Sequence, residues 1–380
     1  MNGEEEEFGI PPPAAGFDHI FIASVLLLTG AGLVTLYSAS HAFSERWYDN
    51  RLYIVSRQGI YAAAGLVCFA VITRFNFDIV RGCITAVVLG TLLLCLLPFV
   101  PGIGSPAGGA SRWIRIAGFT LQPSEFVKIV LPFYLAHILE KKKDKIDGFK
   151  EGLMPPVIIT VLFFAIIYLQ NDFSTALFIA INAIIMFFLA GIKWRYFISA
   201  AVMLIPLSVL LIITKEYRLK RVLSFVNPAF QPLDAGFQSD ASEKAVRFGG
   251  FLGQGLGQGE WKTSSVPAIQ SDFIFASFAE EAGFLGVLLF MLCFTVFAVR
   301  GYAIALSSQE LFRRLLSAGL VTTIILQMLL NIAVVARVVP VTGVPLPFFS
   351  AGGTSLIVTL ASAACVANSS RQKTRQYCPS

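Results

Sequence analysis

One feature constrains this chain more than any other: stretches of about 20 mainly apolar residues return along it ten times, separated mostly by short polar breaks. A helix crossing the roughly 30 Å hydrocarbon core of a bilayer needs about that many residues. In lipid, such a continuous run satisfies its backbone only as a helix. The spans read as 17–40, 53–73, 81–100, 122–139, 153–170, 173–190, 196–214, 274–300, 312–334 and 351–369. Composition agrees, with 56% hydrophobic and 14% charged residues in 380, against about 25% charged in soluble domains. The expected class is an all-α integral membrane protein.

Ten spans put both termini on one side, and Lys and Arg in short loops set which side. With the N-terminus inside, the inner segments hold fifteen Lys and Arg and the short outer loops five: Arg46, Arg51, Arg112, Arg115 and Arg337. Both termini are therefore expected in the cytoplasm. The acidic, proline-bearing start, MNGEEEEFGIPPP, is the opposite of a cationic signal-peptide head. Residues 1–16 read as a disordered cytoplasmic tail, 17–370 as one membrane domain, and 371–380 as a short cytoplasmic tail. Segment 215–273 is too long for a tight connection and reads as a large, partly ordered outer loop that skims the membrane.

Several function classes fall away. The net charge of +6 is spread over short loops, without the basic stripe of a nucleic-acid binder. Five of six cysteines lie in apolar segments with no CxxC spacing, and three histidines argue against a His-built metal centre. The run Gly249–Gly259 is glycine-rich, but its spacing is not that of a phosphate loop and no strand precedes it. It reads as flexible backbone able to fold over a bulky substrate.

Ionisable groups inside spans are costly and mark function by default. Glu125 and Lys128, spaced i,i+3, share one helical face near the start of the fourth span. They read either as a neutralising packing pair or as a charged cavity wall. Asp172, after Gln170, lies at the junction of two spans, where an N-cap is the commoner role. Spacing alone favours the same role for Asp272, which ends the long loop. Glu280 and Glu281 lie about two turns into the eighth span, so at least one must face protein or water rather than lipid. The last outer loop, Pro340–Ser355, carries three prolines and three glycines, the irregular backbone expected of a cavity wall.

These segments together resemble the SEDS family (shape, elongation, division, sporulation) of FtsW/RodA/SpoVE-like membrane proteins. The matching pieces are Gly109-Ala-Ser-Arg-Trp-Ile114 with Leu121-Gln-Pro-Ser-Glu-Phe-Val-Lys128, Gln170-Asn-Asp-Phe-Ser-Thr175, Val266–Phe275 with Ala279-Glu-Glu281, and Pro340–Ser355. They occur in family order over roughly residues 20–370. Asn171 stands where the family usually has proline, Ala268 where it often has glutamate, and Ala351 where tyrosine is common. The Ala279-Glu-Glu281 run and the 341–348 stretch are closer to the division branch than to the elongation branch.

The resemblance implies a GT-C-like architecture in the bacterial cytoplasmic membrane and a peptidoglycan glycosyltransferase polymerising lipid II at its outer face. It implies a class B penicillin-binding protein as partner, with other divisome or elongasome proteins. It makes Asp272 the catalytic residue, which reverses the N-cap preference. A positioned carboxylate can take the proton of an acceptor sugar hydroxyl. The departing undecaprenyl diphosphate needs cations, from Arg112, Lys128, Arg221 and Lys262 or from a divalent ion (Mg or Mn). Glu125 and Asp172 complete the expected substrate-binding set. The rival readings are a lipid II flippase and a non-catalytic scaffold.

Overall fold

The computed structural model describes residues 16–107, 110–116, 119–146, 148–226, 235–259 and 270–371. The two terminal tails, apart from Gly16 and Arg371, lie outside these residues, as does Lys262. Ten apolar helices correspond to the ten expected spans: α1 (His19–Tyr48), α2 (Tyr53–Ile72), α4 (Ile84–Leu96), α5 (Pro123–Lys141), α6 (Met154–Leu169), α7 (Phe173–Leu189), α8 (Trp194–Ile213), α11 (Ile274–Ser307), α12 (Leu311–Val335) and α13 (Gly353–Ser370). Seven are long and apolar enough to cross a membrane, and the α4 and α7 segments are shorter apolar helices. The chain is a multi-pass membrane protein. The third span begins with a correction: a separate short helix α3 (Phe77–Gly82) precedes α4, broken at Cys83.

Short additions decorate one end of the bundle. Between α4 and α5 lies a three-stranded antiparallel sheet, β1 (Gly104–Ala107), β2 (Ala110–Ile116) and β3 (Phe119–Leu121), that an all-helical pattern does not anticipate. Between α8 and α11 lie α9 (Glu216–Val226) and α10 (Ala235–Gly249). Helix α10 packs on α11, and its Glu243 pairs with Arg337 at 2.7 Å and Arg247 at 2.6 Å.

At the opposite end, Asp18 caps α1 through the Phe21 N–H (2.9 Å) and pairs with Arg300 on α11 (2.6 Å). Its own N–H donates to Ser370 on α13, tying three helices together. The interior is aromatic. Phe290 and Phe294 on α11 pack edge-on or tilted against Phe349 and Phe348 of the last connecting loop, with centroids 5.2 and 6.2 Å apart. Helix α8 is the exception to this packing: none of its residues is buried, and its neighbour is α9.

Helix α11 is broken at Gly283 (φ 63°, ψ −166°). A break inside a span leaves backbone groups that lipid cannot satisfy, and the glycine run satisfies them. Gln254 and Gly255 donate to the carbonyls of Glu280 and Glu281 (3.0 and 3.1 Å), while Phe284 and Leu285 donate to Gly250 and Phe251 (2.9 and 3.2 Å). Glu281 accepts from Ser38 on α1 (2.7 Å), and Ser38 accepts from the Gly257 N–H (3.0 Å). The run is thus a plug docked into a broken helix, not a cover free to close over a substrate.

Two glycines make that docking sterically feasible. A Cβ on Gly283 would lie 2.2 Å from the Gly253 nitrogen, and one on Gly253 2.1 Å from the Glu281 carbonyl. Both have positive φ, which side-chain-bearing residues adopt at a cost. Gly283→Ala is therefore expected to destabilise the protein by at least about 2 kcal/mol. A thermal-aggregation curve of the detergent-purified variant measures this directly, and an unshifted midpoint would contradict the clash.

Candidate active site

The sheet holds Arg112 in place. Side chains alternate along β2, so Arg112 and the buried Ile114 share one face while Trp113 and the exposed Arg115 share the other. The β2–β3 register, Ile114 opposite Leu121, then leads directly into α5, whose first residue is Pro123, a favoured helix opener. Arg112 meets Asp172 at 3.3 Å. Asp172 is the N-cap of α7, accepting from the Thr175 N–H (3.2 Å), as expected; it also accepts from Gln122 (3.2 Å). Asn171 beside it has φ 63°, open to asparagine but barred to the proline usual there in the family.

Asp272 is not the cap of α11. The N-cap is Phe273, and no side chain caps the helix there. The Asp272 carboxylate makes no hydrogen bond among the described residues, and it faces a cavity of about 770 Å³. Its backbone, by contrast, is held on every step. The Ala351 N–H donates to the Gln270 carbonyl (2.8 Å), the Ser350 hydroxyl to that of Ser271, and the Asn331 amide to that of Asp272 (2.9 Å). Burial pushes the Asp272 carboxyl above the usual carboxylate range; the nearby Arg112 and Arg221 charges oppose that rise, and Asp172 adds to it.

The cavity has two characters. Its polar lining comprises Arg112, Lys215, Arg218 and Arg221 with Asp172 and Asp272. Its apolar lining comes from Phe173, Leu177, Phe178 and Ile181 of α7, Ile212 of α8 and Leu330 of α12. From Phe173 to Ile181 it follows α7 for about 12 Å at 1.5 Å per residue. Arg221 donates to the Val341 carbonyl (3.1 Å). Arg218 is 8% exposed and stacks over Tyr168 and Phe173, donating to the Tyr168 hydroxyl and the Leu211 carbonyl (2.9 Å each). No carboxylate pairs with it among the described residues.

Four of the expected contacts, Asp272, Arg112, Asp172 and Arg221, line this cavity together. Glu125 and Lys128 do not: they form a fully buried pair at 2.7 Å behind it. Lys128 also donates to Gln327 on α12 (3.3 Å), and Gln327 donates to the Pro345 carbonyl (2.8 Å). Lys215, Arg218, Gln327 and Asn331 are additions to the expected set. Lys215, Arg218 and Arg221 recur every three residues, which places them along one helical flank. Gln327 and Asn331 are polar residues four apart inside an apolar span, a signal readable as function.

Among the described residues no three His, Cys, Asp or Glu side chains gather to hold a metal. Of the two cavity carboxylates, Asp172 is already engaged by Arg112, Gln122 and the α7 backbone. The donor set therefore does not form a protein-built metal site.

The cell cycle protein family model that covers FtsW, RodA and SpoVE matches residues 18–375. A relative in Geobacter sulfurreducens, named "Probable peptidoglycan glycosyltransferase FtsW", is 40% identical over 344 residues, covering 90% of this chain and 92% of that one. Stage V sporulation protein E of Bacillus subtilis is 35% identical over 354 residues, covering 93% and 97%. Among solved structures, a chain of a peptidoglycan synthase complex, described for its coordination of polymerization and crosslinking, superposes with a TM-score of 0.79 at 27% identity. It covers 94% of this chain and 99% of its own. The rod shape determining protein RodA of Thermus thermophilus shares the fold, with a TM-score of 0.68 at 24% identity, covering 96% of this chain and 100% of that one.

Proposed function

This chain belongs to the FtsW/RodA/SpoVE family of cell cycle proteins, and from that premise we propose that it is a peptidoglycan glycosyltransferase polymerising lipid II. One observation carries the proposal: a carboxylate without a hydrogen-bond partner among the described residues, four cations and an apolar lining share one cavity. Each part answers a different part of a lipid-linked sugar. The apolar lining suits a polyprenyl tail, and α8, none of whose residues is buried, contributes Ile212 to it. The cations suit a diphosphate, since charge-assisted hydrogen bonds to phosphate are the strong ones. Arg112, paired with Asp172 at 3.3 Å, brings its guanidinium to the same cavity.

Asp272 then acts as general base. It takes the proton of the acceptor GlcNAc hydroxyl as that oxygen attacks the anomeric carbon of the donor. The bond to the undecaprenyl diphosphate breaks, and the electron pair leaves with the diphosphate. Arg112, Arg218, Arg221 and Lys215 stabilise the charge that develops there. A divalent cation, where one takes part, would arrive on the diphosphate, because the described residues offer it no cluster of ligands. The sheet end of the bundle is the outer face, in keeping with the bias of Lys and Arg to the other end. No nucleotide sugars are available there, so the donor must carry its own leaving group. A class B penicillin-binding protein would crosslink the product.

The purified protein in lipid vesicles, supplied with labelled lipid II, is expected to yield glycan polymer and free undecaprenyl diphosphate. Transbilayer movement of lipid II without polymer would support the flippase reading instead. Arg218→Gln is expected to raise KM for lipid II about 10-fold or more, the worth of a lost hydrogen bond to a charged group. An unchanged KM would remove Arg218 from the diphosphate site.

A further inference from the structure

We propose that Asn331 and Gln327, with Lys128 behind them, are positioning residues that hold Asp272 at the cavity through its backbone. The inference rests on Asp272 being the base. Its carboxylate has no side-chain or main-chain donor to orient it among the described residues, and α11 begins without a side-chain cap. The carboxylate is therefore aimed only as well as residues 270–272 are fixed.

Asn331 fixes them from one side. Its Nδ2 donates to the Asp272 carbonyl and to the Val344 carbonyl, both at 2.9 Å. Two carbonyl acceptors require the NH2 group at that position, so the chemistry sets the amide's orientation. One turn earlier on α12, Gln327 donates to the neighbouring Pro345 carbonyl, and its oxygen accepts from Lys128, which Glu125 holds at 2.7 Å. The sequence of contacts runs Glu125, Lys128, Gln327, loop 344–345, Asn331, Asp272. Gln327 and Asn331 are 3% and 1% exposed.

Polar side chains buried in a membrane bundle often serve as glue between helices. These two differ in what they hold. Both amides donate to carbonyls of irregular backbone, on the two segments that flank the Asp272 side of the cavity. Gly343, at the turn of the second segment, lies so near that a Cβ there would be 3.6 Å from Asp272 Oδ2.

The test uses the full-length purified protein and lipid II, with kcat, KM and thermal midpoint measured for each variant. Asn331→Asp turns the donor into an acceptor facing two carbonyls. Its kcat is expected to fall about 30- to 100-fold, with KM within about 3-fold, as a displaced catalytic group produces. Gln327→Glu keeps the Lys128 contact but loses the donation to Pro345, and is expected to lower kcat about 5- to 10-fold. Should Asn331→Asp fail to fold, Asn331→Ala carries the same expectation. Adding Asn331→Ala to Asp272→Asn should cost nothing further, since a residue acting through Asp272 has nothing left to position. Wild-type kcat in Asn331→Ala, a loss confined to KM, or full additivity with Asp272→Asn would overturn the positioning role. Those outcomes leave the base assignment standing if Asp272→Asn is inactive. Wild-type polymerisation by Asp272→Asn would instead overturn the base.

Discussion

Asp272→Asn is expected to lower the kcat of lipid II polymerisation by about 10²- to 10⁴-fold while lipid II binding persists, the range attributed to general acid–base catalysis. Asparagine keeps the shape of the side chain beside the cavity, so the cations that bind the diphosphate stay in place and only proton acceptance is lost. The pH profile adds a sharper criterion. A base works when ionised, and burial pushes the Asp272 carboxyl up against the pull of its two arginines. In the wild-type protein, kcat/KM should therefore fall on acidification through a pKa above the usual carboxylate range. The residual activity of Asp272→Asn should lack that acidic limb. A variant that polymerises at near wild-type rate, or that keeps the limb, would exclude Asp272 as the base.

Lys128→Met should cost the fold about 3–5 kcal/mol, because it strands Glu125 as an uncompensated buried charge. Both side chains are 4% exposed, and their 2.7 Å contact lies inside the bundle. Removing both charges, as Glu125→Leu with Lys128→Met, should recover most of that stability, since a buried ion pair is often matched by well-packed apolar residues. Activity should not return with it, because the double variant still lacks the donor to Gln327. Thermal midpoint and polymerisation rate are thus expected to separate in the double variant. If both recover together, the pair serves only packing.

Much of this architecture was legible because each span is a long apolar run, and such runs have one outcome in lipid. The Asp172 cap was legible from its position before an apolar stretch. The sheet at 104–121 was not, since its strands are only three to seven residues long and lie among glycines and a proline. The break at Gly283 was hidden for a different reason: Ala-Glu-Glu-Ala-Gly reads as ordinary helix, and its partner, the glycine run, lies some thirty residues earlier. Spacing misjudged Asp272 because a carboxylate just before a helix looks the same whether it caps the helix or faces a cavity. The resemblance to a family corrected that. Glu125 and Lys128 were noticed as a pair, but their connection to Gln327 is a long-range contact that only the fold brings about.

The backbone clamp on residues 270–272 also bears on biogenesis. Its donors come from Asn331 on α12 and from Ser350 and Ala351 in the final connecting loop. Asp272 therefore leaves the ribosome some eighty residues before the last of its supports. Part of the cavity wall, Leu330 and Val339–Val344, is made as late as those supports, so the cavity and the aim of its carboxylate are completed together. An incompletely inserted chain therefore lacks the substrate cavity and the aimed base alike, and neither half of the site is exposed without the other.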